Sequence, residues 1–234
     1  ELDSENDKAF KYLARSFFAL EDYNKAVENY RNSLKINADD EIVHFELANS
    51  YNAVNAFNKA IESYIRAIEL NSKNQEFYLK LANTYYNIKK YDAAIDNYHS
   101  AIELKPENPE PYHKLADTYF ITNDYDKAIK NYKNTIKYDR ENHIALNRLG
   151  LSYYKLKNYN QAIENFKKAI KIKSDEHSYY NNIADAYYLD GQFEAAINNY
   201  KQAIELKEDL HKYYFKLANS YYKIDNYEDS IKNY

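Results

Sequence analysis

Residues 47–70 read LANSYNAVNAFNKAIESYIRAIEL, and 34 positions later residues 81–104 read LANTYYNIKKYDAAIDNYHSAIEL. Large, small and aromatic residues return at the same offsets in both segments, the mark of tandem structural repeats. The same shift relates the whole chain from Asp7 onward: units 7–40, 41–74, 75–108, 109–142, 143–176 and 177–210 are complete, and a seventh, from His211, stops after 24 residues. No insertion interrupts the series, so each residue has a position number, 1 to 34, within its unit.

Position 7 is Leu or Ile in every unit, from Leu13 and Leu47 to Leu217. Position 8 is small: Ala14, Ala48, Ala82, Ala116, Gly150, Ala184 and Ala218. Position 11 is aromatic throughout, position 20 is Ala or Ser, and position 24 is Tyr or Phe from Tyr30 to Tyr234. Positions 4, 7, 8 and 11 follow the i, i+3, i+4, i+7 rule and mark one face of a first helix, A; positions 20, 24, 27 and 28 do the same for a second helix, B. Alanine-sized residues at 8 and 20 let A and B approach closely, with aromatics filling the space beside them. A turn is expected near position 15, where Asn55, Asn123, Gly191 and Asp225 tolerate a left-handed backbone. Pro109 and Pro111 suit the first turn of a helix, and Ser4 with Asp7 is expected to form a capping box starting the first one.

Composition excludes several chemistries. The two glycines, Gly150 and Gly191, lie far apart, so no glycine-rich phosphate loop exists. The absence of cysteine removes thiolate metal sites, disulfides and cysteine nucleophiles. A mean hydropathy of -0.87 leaves no run of the length that spans a bilayer. A net charge of -4 argues against a general polyanion binder. Of the 29 tyrosines, 25 occupy positions 4, 11, 12, 17 and 24, which places most of the aromatic excess in the core and seams. His143, His177 and His211 repeat at position 1; successive A helices lie too far apart for a shared zinc, so these read as helix-start surface histidines, with no metal, cofactor or catalytic residue expected. The chain begins at Glu1 without methionine and ends mid-helix, which predicts an apolar end face met by further sequence or by a neighbour.

The pattern of large residue, Leu, small and Tyr, then Ala, aromatic and Ala resembles the tetratricopeptide repeat over 228 of 234 residues. The resemblance implies an all-α, right-handed α-solenoid superhelix of antiparallel helix pairs, a single solenoid over 1–234, acting as a non-catalytic protein-protein interaction scaffold. It places positions 2, 5, 6, 9, 12 and 13 of each A helix on a concave peptide-binding groove. These positions sum to +5, against -4 for the chain. Position 6 supplies Lys80, Lys114, Arg148, Asn182 and Lys216. Position 9 supplies Asn49, Asn83, Asp117 and Asn219, with Asp185 among them. Position 5 adds Phe45 and Leu79, position 12 adds Tyr86, Phe120, Tyr154 and Tyr188, and position 2 adds Lys212. The implied ligand is an extended acidic or C-terminal peptide whose binding weakens with salt. The carboxylate clamp of some family members is matched at Asn182, Lys212 and Lys216 and departed from at Asn147 and Leu151. Two alternatives stand beside this reading. One is the repeat arm of a larger enzyme such as a protein glycosyltransferase, whose position-6 asparagine ladder is matched only by Asn182; the other is a scaffold self-associating through its terminal repeats. No nucleic-acid or membrane partner is expected.

Overall fold

A computed structural model describes the backbone from Leu2 and the side chains from Glu5 onward. Among these residues there are fourteen α-helices and no strand. The chain divides into two compact units, residues 1–118 and 119–234.

The first unit contains α1 (Leu2–Ala19), α2 (Tyr23–Ile36), α3 (Glu41–Ala53), α4 (Phe57–Leu70), α5 (Gln75–Asn87), α6 (Tyr91–Leu104) and most of α7 (Pro109–Ile121). From α1 to α6 each helix packs on the next along the chain. The second unit contains α8 (Tyr125–Tyr138), α9 (His143–Lys155), α10 (Tyr159–Ile172), α11 (His177–Leu189), α12 (Phe193–Leu206), α13 (His211–Lys223) and α14 (Tyr227–Asn233), packed in the same successive order. From α3 onward the odd-numbered helices begin at position 1 of their repeat and the even-numbered ones at position 17, so A and B fall where the periodicity puts them.

Each A helix ends in the same way. Position 15 is left-handed in all seven repeats: Glu21, Asn55, Lys89, Asn123, Lys157 and Asp225 have φ of 59–63°, and Gly191 has 79°. The following N–H bonds back to the carbonyl of position 11, as in Asp22 to Phe17 and Lys90 to Tyr85, while the position-15 N–H bonds to position 12, which is the Schellman arrangement. Asn, Asp and Gly suit this conformation; Glu21, Lys89 and Lys157 do not, and are held there by the helices on either side. Lys89→Gly and Lys157→Gly are expected to stabilise the protein by about 0.5–1 kcal/mol each, the relief of left-handed strain exceeding glycine's entropy cost. A urea midpoint that fails to rise in either variant refutes this.

Helix starts are capped at repeat-defined places. Asp22, Asp124, Asn158 and Asn226 at position 16 cap B helices, and Asp40, Asn74 and Asn142 at position 34 cap A helices, through side-chain oxygens accepting backbone N–H groups. The capping box expected at Ser4 rests on a side chain outside the described residues; α1 already runs from Leu2, and the Asp7 carboxylate is instead used by Ser33 Oγ at 2.6 Å and Lys11 Nζ at 2.7 Å.

Ala48, Ala60, Ala82 and Ala94 at positions 8 and 20 are fully buried, as are Ala184 and Ala196, and beside them sit the enclosed rings of Tyr64, Tyr98 and Tyr200 at position 24. Each such ring contributes about 2–3 kcal/mol of burial. Burial at position 7 comes from the neighbouring repeat: Leu47 is 5% exposed, but its equivalent Leu13 in the first repeat is 47% exposed. Ile197 at position 21 is likewise 5% exposed and Ile231, in the last repeat, 75%. One repeat alone cannot cover its own apolar face.

Position 1 ties helix ends within a repeat and A helices between repeats. Gln75 is buried, donates from Nε2 to the Ala101 carbonyl at 2.7 Å, and accepts from Asn108 Nδ2 at 2.8 Å, which satisfies the frayed end of α6. The repeated histidines do comparable work: His143 Nδ1 meets Tyr179 Oη at 2.7 Å and His177 Nδ1 meets Tyr213 Oη at 2.8 Å, one repeat further on. Both are partly buried ties between A helices, which corrects the expectation of mere surface histidines; His211 alone is exposed. No cluster of three metal-ligating side chains exists among the described residues.

Candidate functional site

The A-helix face is organised by the buried tyrosine of helix B. In three complete repeats the position-24 hydroxyl donates to position 9 of the same repeat: Tyr64 to Asn49 Oδ1 at 2.6 Å, Tyr98 to Asn83 Oδ1 at 2.7 Å, and Tyr200 to Asp185 Oδ1 at 2.6 Å. Tyr234 and Asn219 repeat the bond at 2.6 Å. Burial raises the hydroxyl pKa of Tyr64, Tyr98 and Tyr200, and the Asp185 charge raises that of Tyr200 further, so each remains a donor. A buried hydroxyl requires an acceptor, and the fifth repeat shows the converse. There position 24 is Phe166 and position 9 is Leu151, so donor and acceptor vanish together. For Asn49, Asn83 and Asn219 the bond fixes the amide: Oδ1 is occupied and Nδ2 is left as an unpartnered donor.

Position 9 also decides whether the next repeat's position-6 charge is available. Arg15 Nε pairs with Glu46 at 2.9 Å, and Asp185 pairs with Lys216 Nζ at 2.7 Å, the same two positions with the signs exchanged. Lys216 is further tied to Asn181 Oδ1 at 2.8 Å. Where position 9 is asparagine no such pair forms: Lys80, following Asn49, and Lys114, following Asn83, have no carboxylate partner. The groove charge of +5 is therefore overstated as an available field. Lys11 is held by Asp7 and Asp40, Arg15 by Glu46 and Lys216 by Asp185.

The expected aromatic pockets are partly spent on packing. Tyr86, Phe120, Tyr154 and Tyr188 at position 12 stand edge-on to position 17, against Tyr91, Tyr125, Tyr159 and Phe193, with centroids 5.4–5.8 Å apart. Phe45 packs on Phe77 at 4.8 Å and Tyr64 at 5.8 Å. Leu79 is 5% exposed and belongs to the core, a correction to its expected place on the groove, because a large apolar side chain at position 5 can turn into the stack. Two equivalent clefts remain. One of about 260 Å³ in the first unit is lined by Arg15, Phe18, Tyr30, Phe45, Glu46 and Asn49; one of about 340 Å³ in the second is lined by Tyr154, Asp185, Tyr188, Leu189, Tyr200, Lys216 and Asn219.

The other expected residues are placed as follows. Asp117, half-buried, approaches His113 Nε2 at 3.5 Å, Arg148 lies 5.8 Å from the Phe120 ring centre, and Lys212 lies over Tyr213 at 5.3 Å. Of the partial clamp, Asn182 Nδ2 donates to Asn147 Oδ1 at 3.0 Å and Lys216 is committed to Asp185. These three groups thus do not converge as free donors. Sequence reasoning missed the 24-to-9 hydroxyl bond and the 9-to-6 ion pair. The joint change to Leu151 and Phe166 was the available signal for the first.

Two family models match. A TPR repeat model covers residues 14–54, 48–89, 83–120 and 116–157, and a tetratricopeptide repeat model covers 141–209. The chain belongs to the tetratricopeptide repeat family. Members are generally protein-protein interaction modules, and this is the class of work the repeats imply. Among solved structures, the tetratricopeptide chain is similar to MamA at 26% identity, with a TM-score of 0.69 over 74% of this chain and 94% of that one. YrrB, described as a TPR protein with an unusual peptide-binding site, is 20% identical with a TM-score of 0.69, covering 79% and 95% of the two chains. The C-terminal part of a TPR repeat-containing protein from Cytophaga hutchinsonii reaches a TM-score of 0.81 at 19% identity, over 96% and 93%. The last two likenesses bear on fold alone. No curated protein matches the chain.

Proposed function

We propose that this tetratricopeptide protein is a non-catalytic scaffold that binds an extended, acidic or C-terminal peptide along the A helices of its first unit. The observation that carries this reading is a set of four free donors at alternating positions: Asn49 Nδ2, Lys80 Nζ, Asn83 Nδ2 and Lys114 Nζ. Such a set has no acceptor of its own and calls for a ligand rich in carbonyls and carboxylates, with amides meeting the main chain and ammonium groups meeting side-chain or terminal carboxylates.

A peptide array followed by fluorescence anisotropy tests the reading. Acidic peptides are expected to bind, with affinity falling as salt rises. Lys80→Ala with Lys114→Ala should weaken binding about tenfold at low salt, as partly exposed charge-assisted bonds allow. Lys216→Ala, whose charge is already paired, should change little. Preference for basic peptides, or unchanged affinity in the double variant, refutes it.

A further inference from the structure

Helices α8 and α10 carry seven lysines, no arginine and only two acids, Asp126 and Glu164, in a chain whose net charge is -4. Lys127 and Lys168 are neutralised by Asp124 and Glu164. Lys130, Lys133, Lys137, Lys167 and Lys171 are exposed and face no carboxylate. On α8 the three free lysines fall at i, i+3 and i+7 and therefore on one stripe. Between α8, α9 and α10 lies a cleft of about 240 Å³ whose lining includes Ile136, Leu149 and Tyr153, the free Lys133, and the Lys168–Glu164 ion pair. Lys133 is poised over the Tyr153 ring at 5.6 Å. All of this lies on B helices and the seam beneath them, apart from the A-helix positions assigned to the groove.

We propose that this face of the second unit is a separate docking site for an acidic protein segment that places an aliphatic side chain in the cleft and carboxylates on the flanking lysines. Charge complementarity selects an anionic partner, since free ammonium groups here focus a positive field on an otherwise acidic chain. The chemistry of the face narrows the class. Arginine, which reads bases and phosphates bidentately, is missing from both helices, and the Tyr153 and Tyr187 rings lie beneath lysines rather than open for base stacking. The apolar residues of α8 and α10 point largely into the stack, with Ala128, Ile129, Tyr132, Ala162, Ile163 and Phe166 all buried, so no broad apolar face is left to enter a bilayer. A partly apolar cleft between point charges fits a peptide of mixed carboxylate and aliphatic character.

The test uses a fluorescein-labelled peptide of glutamates around a central leucine, titrated against the whole chain. Binding should weaken with salt, and the variant Lys130→Glu, Lys137→Glu, Lys171→Glu should lose at least about tenfold in affinity through reversal of three exposed charges. These lysines are exposed, Lys137 meeting only the adjacent Tyr138 ring at 4.8 Å, and circular dichroism checks that the variant is folded. Replacing the peptide's leucine by serine should also weaken binding, whereas Lys80→Ala with Lys114→Ala should leave it unchanged. Three results overturn the proposal: unchanged affinity in the charge-reversed variant, loss of binding in the Lys80, Lys114 variant instead, or tighter lysine-dependent binding of duplex DNA or phosphatidylserine vesicles than of the peptide at equal salt.

Discussion

Gly150→Ala is expected to destabilise the protein by up to about 2 kcal/mol, although glycine within a helix is ordinarily the poorer residue. Position 8 is alanine in the other six repeats. An added Cβ at Gly150 would lie 2.6 Å from the Phe166 ring, which is fully buried. Relieving that overlap costs about 1–3 kcal/mol, while alanine's better helix propensity returns about 1 kcal/mol. Tyrosines at position 24 in the second, third and sixth repeats are tied to position 9; Phe166, in a repeat whose position 9 is Leu151, has no such tie and its ring lies over the glycine. The combined variant Gly150→Ala, Leu151→Asn, Phe166→Tyr should therefore recover most of the loss by restoring the arrangement of its neighbours. Repeat arrays need not unfold in one step, so the measurement is the urea midpoint together with amide exchange in α9 and α10. A more stable single variant, or a combined variant no better than the single one, rejects the coupling.

Asp185→Ala is expected to cost about 2–3 kcal/mol, the range for hydrogen bonds to a charged acceptor with one partner left buried. Its carboxylate accepts from Tyr200 Oη at 2.6 Å and Lys216 Nζ at 2.7 Å, and from Asn181 Nδ2 at 3.4 Å. Removing it strands a buried hydroxyl and frees a cation. Asp185→Asn keeps an acceptor for Tyr200 and should lose about 1 kcal/mol or less, chiefly the ion pair with a partly exposed lysine. The same Asp185→Ala change should tighten binding of acidic peptides in the second unit, because Lys216 no longer has an internal partner. Thermal melts of the three proteins read the first effect, and anisotropy the second. Equal stability of Asp185→Ala and Asp185→Asn refutes the carboxylate's role as acceptor.

How far the site was legible follows from where the information lies. The offsets of Leu47, Ala48, Tyr51, Ala60 and Tyr64 state a helical period, so the two helices of each repeat, the turn near position 15 and the buried faces could be read directly. Leu79 could not be placed, since position 5 holds Phe45, Lys11 and Asn147 in other repeats and its direction depends on what packs beside it. Lys216 and Lys80 occupy the same position and are indistinguishable as letters. One is neutralised and the other free because of a residue 31 positions earlier, Asp185 or Asn49. The left-handed Lys89 and Lys157 carry no local signal at all; the helices on either side impose that conformation.

By itself the sequence determined the repeat, its two helices, their cores and the family, because burial acts on each residue through its own size and polarity at a fixed spacing. Which donors and charges remain free for a ligand was decided only by the tertiary structure. Hydrogen bonds and ion pairs join two groups at about 3 Å, and whether Tyr64 reaches Asn49, or Lys216 reaches Asp185, depends on how one helix is laid against the next.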